Sequence, residues 1–133
     1  TMPNRSDEAV ITPHLLRQWP LPDPQGDKKS RGTVLVVGGS RTTPGAVLLA
    51  GVSALRAGAG RLQLAVADDT ATALSIAVPE AKVIGLPENE DELRQIAADA
   101  DVVIGTLSKA LGAYGAFACC DACGGAPTSI CLP

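Results

Sequence analysis

Residues 33–37, Thr-Val-Leu-Val-Val, form an unbroken, mostly β-branched run that stops at Gly38 and Gly39. Five residues are too few for a stable helix, and no polar residue alternates with the apolar ones. The run therefore reads as a central parallel strand covered on both faces. After Ser40, the stretch Thr43-Pro44-Gly45-Ala46 opens a second apolar segment that closes near Arg56-Ala57-Gly58. Thr42 or Thr43 suits the N-cap, with Pro44 at or near the first helical position, where its missing N–H costs nothing. Arg56 suits the negative end of the helix and Gly58 its C-cap. The unit is strand, glycine turn, helix.

The same alternation continues along the chain. Strands are predicted at residues 61–66, 82–85 and 101–105, and helices at 70–78 and 89–98, the last capped by Asn89. Strand and helix in alternation predict a right-handed, doubly wound, mostly parallel sheet. Only Trp19, Tyr114 and Phe117 are aromatic, so Val, Leu, Ile and Ala must fill the core. A chain of 133 residues, 46% hydrophobic and 19% charged, has room for one such core.

Three regions differ in composition. Residues 1–30 are polar and proline-rich and read as an arm, with Leu15, Leu16 and Trp19 expected to dock on the body. Residues 31–105 carry the α/β pattern. Residues 106–133 lose most of their charge and hold all four cysteines, between Cys119 and Cys131; they are expected to form a loose tail. A net charge of −3 gives no electrostatic reason to expect nucleic acid or an anionic membrane as partner. No apolar stretch approaches the roughly 20 residues of a membrane span. With no apolar leader core in residues 1–30, a cytoplasmic location is expected.

The glycine turn is the strongest chemical signal. A strand, Gly38-Gly39-Ser40 and a helix opening at Pro44-Gly45-Ala46 offer free backbone N–H groups at a positive helix end. The spacing is neither the P-loop nor the Rossmann fingerprint, and a simple tight turn is the alternative reading.

The ordered blocks Lys29-Ser-Arg-Gly-Thr-Val-Leu-Val-Val-Gly-Gly-Ser40, Pro44-Gly-Ala46, Ala54-Leu-Arg-Ala-Gly-Ala-Gly60 and Val78-Pro-Glu-Ala81 resemble the ADP/ATP-dependent NAD(P)H-hydrate dehydratases. The resemblance covers about residues 11–101. It implies part of a ribokinase-like (Rossmann-like) three-layer α/β sandwich and a lyase that repairs hydrated nicotinamide nucleotides. ADP or ATP with Mg2+ would phosphorylate the ring hydroxyl, and elimination of phosphate would restore NADH or NADPH. By the same resemblance, Gly38, Gly39, Ser40 and Ala46 would line the hydrated-nucleotide pocket, joined by Gly105. The family's downstream histidine, lysine-containing nucleotide loop and Gly-Ser-Gly-Asp have no counterpart in this sequence. An incomplete enzyme is the expectation, and no catalytic residue or metal ligand is assigned.

Residues 101–117 resemble a second family. Thr106, Ser108 and Lys109 match the pyridoxal-phosphate lysine segment of α-oxoamine synthases such as 8-amino-7-oxononanoate synthase. There Lys109 would form the imine, and Thr106 and Ser108 would hold the cofactor phosphate. The meeting of two half-motifs near Asp101 raises a truncated or chimeric chain, and a non-enzymatic α/β remnant is the third reading.

Weaker signals stay structural. Cys120 and Cys123, with Cys119 and Cys131, lack the second tight pair or histidines of a zinc site. His14 is the only histidine. Asp68 and Asp69 are expected to act as helix caps, and Glu88, Glu90, Asp91 and Glu92 form a solvated helix start. The helix after Pro44 is apolar on several sides, which predicts exposed apolar patches and self-association.

Overall fold

β1 (Thr33–Val37) sits inside the parallel part of a six-stranded sheet. It pairs in parallel with β2 (Arg61–Val66) on one side and β4 (Val102–Thr106) on the other. β2 pairs in parallel with β3 (Ala81–Gly85), giving the order β3-β2-β1-β4 for the parallel strands. β5 (Ala116–Cys120) and β6 (Thr128–Leu132) extend the β4 side in antiparallel fashion. This computed structural model describes residues 12–18, 25–106, 116–120 and 128–132.

Consecutive residues of β1 explain its unbroken apolar run. Val36 packs with Val47, Leu62, Leu64, Val66 and Leu74 beneath α2 (Gly45–Arg56) and α3 (Asp68–Ala77). Leu35 faces the other way, with Ala65 and Ala100, and meets Ile96 and Ala97 of α4 (Glu90–Ala98). Both Leu35 and Val36 are fully buried. Helices on two faces of a mostly parallel sheet make the three-layer α/β sandwich expected of a ribokinase-like chain.

α2 approaches the sheet closely at Gly51. A Cβ there would lie 3.0 Å from Cδ2 of both Leu62 and Leu64, tighter than ordinary contact. Only one side of α2 is covered, however. Gly45, Leu49, Ser53 and Arg56 form an exposed stripe at helical spacing, and Leu49 is 70% exposed. The exposed Leu49 agrees with the apolar patch expected of this helix.

Several boundaries moved for local reasons. α3 begins at Asp68 with Ala67 as N-cap, so Asp68 and Asp69 lie inside the first turn instead of capping it. Their charge still suits the positive helix end. α4 is capped as expected: the Asn89 side chain accepts from the Asp91 N–H at 2.9 Å. α1 (Pro13–Gln18) has no buried residue and Leu16 is exposed, contrary to the docking expected of Leu15 and Leu16; Trp19 lies outside the described residues. The region after residue 106 contributes two strands where a loose tail was expected. Its Ala, Cys and Gly residues carry no alternating pattern to announce them.

The amino edge of the sheet is tied together by backbone and one carboxylate. Asp101 Oδ2 accepts the Thr33 N–H at 2.7 Å, and the Asp101 N–H donates to Thr33 O at 2.9 Å. Gly32 O accepts from both Gly60 and Arg61 N–H groups. Asp101 therefore has a structural task.

Candidate functional site

At the carboxyl edge the chain leaves β1 through two glycines. The Gly38 N–H donates to Ala65 O at 3.1 Å, steering the turn over the end of β2. Gly38 and Gly39 have φ values of 148° and 80°, a region that side chains rarely adopt. A Cβ on Gly39 would also meet Val47 Cγ2 at 3.1 Å, so the turn lies directly on the first turn of α2.

Ser40 then closes a small hydroxyl knot. Its Oγ lies 2.7 Å from Thr43 Oγ1 and 3.2 Å from Thr42 Oγ1, and its carbonyl accepts the Thr43 N–H. These bonds occupy the side chains that were expected to cap α2. The N-cap is Pro44, which has no side-chain hydrogen bond to offer. Pro44 O accepts from the Val47 and Leu48 N–H groups, while no hydrogen bond among the described residues takes the N–H of Gly45 or Ala46. Nothing lies within 4 Å of the position a Gly45 Cβ would take. An open pair of amides at a positive helix end is suited to an anion.

Gly105 enters from the neighbouring strand. It is buried and pairs in register with Val37, the last residue of β1. Gly38, Gly39, Ser40, Ala46 and Gly105 are thus gathered at one edge, between β1 and β4. From β1 the chain winds outward to β2 and β3, then returns to place β4 on the other side. Such a reversal opens a crevice beyond the carboxyl ends of the two central strands, where open α/β sheets take their ligands.

One contact here was not foreseen from sequence. Arg41 Nε donates to Asp69 Oδ2 at 2.5 Å, joining the glycine turn to the start of α3. Both side chains are well exposed, so the pair is a tether of small energetic weight. Asp68 in turn packs on Gly85, where a Cβ would collide with its carboxylate, and the Leu86 N–H donates to Val66 O at 2.7 Å. Only a lone arginine after Gly-Gly-Ser hinted at the tether.

The other candidates are not gathered here. Thr106 ends β4, whereas Ser108 and Lys109 lie outside the described residues. Cys119, Cys120 and Cys131 fall on β5 and β6, Cys119 as a free, half-buried thiol, and Cys123 is outside the described residues. Among the described residues no group of three His, Cys, Asp or Glu side chains is placed to hold a metal ion, and no helix is long and apolar enough to cross a membrane.

A mostly parallel α/β sheet with helices on both faces and a glycine turn at its switch point defines a ribokinase-like α/β protein. Residues 34–109 match the NAD(P)H-hydrate dehydratase family, and the chain belongs to that family. It is 59% identical over 80 residues to the ADP-dependent (S)-NAD(P)H-hydrate dehydratase of Xanthomonas campestris pv. campestris; the match covers 60% of this chain and 28% of that protein. The enzyme of the same name from Lactococcus lactis is 36% identical over 77 residues, covering 58% of this chain and 28% of the relative. The chain therefore spans little more than a quarter of the length of these relatives.

Among solved structures, a ribokinase-like superfamily protein from Enterococcus faecalis matches with a TM-score of 0.53 at 28% identity. A hypothetic protein from Streptococcus mutans matches with 0.51 at 35% identity. Each match covers 59% of this chain and 28% of the other. The pyridoxal-phosphate reading of Thr106, Ser108 and Lys109 gains no support, since the family match itself runs through residue 109.

Proposed function

We propose that this chain carries the hydrated-nucleotide side of an ADP/ATP-dependent NAD(P)H-hydrate dehydratase, a lyase of nicotinamide nucleotide repair. The observation behind the proposal is the glycine turn and uncapped start of α2 at the β1/β4 switch point, in a chain of that family. In this reading Gly38 and Gly39 let an anionic ligand approach the backbone, and the Gly45 and Ala46 amides face its negative charge. Ser40 offers a hydroxyl at the rim. Ala46 and Gly105 leave room where larger side chains would intrude.

ADP or ATP with Mg2+ would supply the phosphoryl group that turns the ring hydroxyl into a leaving group. The described carboxylates do not fit a site for that ion: Asp69 is tethered to Arg41 and Asp68 packs on Gly85. We therefore assign no donor site, general base or phosphoryl-transfer step to these residues. A cytoplasmic setting belongs to the proposal, in keeping with the free thiol of Cys119. So does self-association, in keeping with the exposure of Leu49 and Ile76.

The test supplies hydrated NADPH to the isotope-labelled chain. Saturable shifts of the residue 38–46 amides are expected, and their absence at saturating ligand overturns the assignment. A parallel assay with ADP and Mg2+ reads return of reduced-nicotinamide absorbance and reports whether the chain also completes the reaction.

A further inference from the structure

The parallel sheet has a second open place, at its amino edge and on the face that α4 only partly covers. A groove of about 320 Å³ lies there, walled by Lys28, Arg61 and Lys82, with Glu80 at its rim and Gly60 and Leu62 beneath. Register explains the convergence. Gln63 and Lys82 are direct partners across β2 and β3, and Arg61 lies two residues before Gln63 on the same face. Lys28 is brought in by backbone packing, since a Cβ on Gly60 would collide with the Lys28 carbonyl.

We propose that this amino-edge groove binds the dianionic phosphoryl group of a small molecule. Three cations against one carboxylate leave the lining with two positive charges. Neither of the ion pairs among the described residues uses any of these four side chains. Asp27 offsets part of the charge at Arg61, and the positive charge that remains suits a phosphate monoester, which carries about −1.5 to −2 at neutral pH. Arg31 lies beside the groove without lining it: its Cβ is close to Gly60, and its Nε is buried with no hydrogen-bond partner among the described residues. The groove is at the opposite edge from the glycine turn, so the two sites stand or fall separately.

The experiment titrates the labelled chain with inorganic phosphate and follows amide resonances. Saturable shifts are expected at Gly60, Arg61, Gln63 and Lys82, with affinity at least tenfold weaker in Lys82→Gln. Lys82 is exposed, so this variant is expected to keep a dispersed native spectrum; Arg61→Gln provides a second variant with the same expected loss. Equal shifts from chloride at matched ionic strength overturn the proposal, as does a phosphate response confined to residues 38–46. A response to succinate as strong as that to phosphate overturns the phosphoryl assignment.

Discussion

Replacing Gly45 by Asp separates ligand binding from folding. A Cβ at this position meets nothing within 4 Å, so the side chain enters without a clash. Gly45 is the first residue of α2, whose first turn holds no acidic side chain. Aspartate ranks beside glycine in helix propensity, so the gain comes from the carboxylate in the first turn, worth roughly 0.3–1 kcal/mol. The variant should therefore be as stable as the parent or more so, by roughly 0.3–1 kcal/mol.

Its effect on an anion is opposite. For a dianionic phosphoryl group about 6 Å from the new carboxylate, at an effective dielectric of about 60, repulsion is roughly 1.8 kcal/mol. That is about a 20-fold loss of affinity. Denaturant melts followed by circular dichroism and calorimetric titration with hydrated NADPH measure the two quantities. Unchanged affinity in a stable variant would show that the ligand's charge does not face the start of α2, and the reasoning would fail at its central step.

Other substitutions test the frame. Leu64→Ala empties a fully buried site beneath Gly51 and should cost about 2–5 kcal/mol in urea unfolding; a loss below 1 kcal/mol would mean that the sheet and α2 are not packed as described. Asp101→Ala removes the acceptor of the Thr33 N–H and should cost about 1–3 kcal/mol, whereas Asp101→Asn, which keeps an oxygen there, should cost less. Asn89→Ala should lose about 1 kcal/mol by stripping the cap of α4, with faster amide exchange at Asp91. Asp27 offers a pH test. The Ser30 N–H, donating to its carboxylate at 2.7 Å, holds its pKa below the ordinary value, so the 27–30 turn is held above the unfolded pKa and released as pH falls through the lowered one. The Ser30 amide shift should follow that protonation, and a midpoint at or above an ordinary aspartate would refute it.

The parallel strands were legible because buried β-branched runs are scarce outside such sheets, and because Gly38-Gly39 and Pro79 mark where they and their helices stop. α4 was legible through Asn89, whose side chain has one obvious task. What sequence misjudged turns on competition between neighbours. Thr43 is a good cap in isolation, yet Ser40 claims its hydroxyl, and α2 starts from Pro44 instead. Asp68 and Asp69 have the right chemistry for caps but fall one turn position too late. β5 and β6 pair through backbone groups that every residue owns, so Ala116 or Cys119 gives no hint of them. The gathering of residues 38–46 with Gly105 was legible only through a family likeness, since strand order decides which distant loops share an edge.

Gly51 gives α2 a fulcrum. It rests against Leu62 and Leu64, some 9 Å along the axis from Gly45. A bulkier residue there would lever the helix off the sheet and swing its leading amides away from the glycine turn. The spacing between the glycine turn and the start of α2 is thus set from behind, by a position nearly two helical turns away.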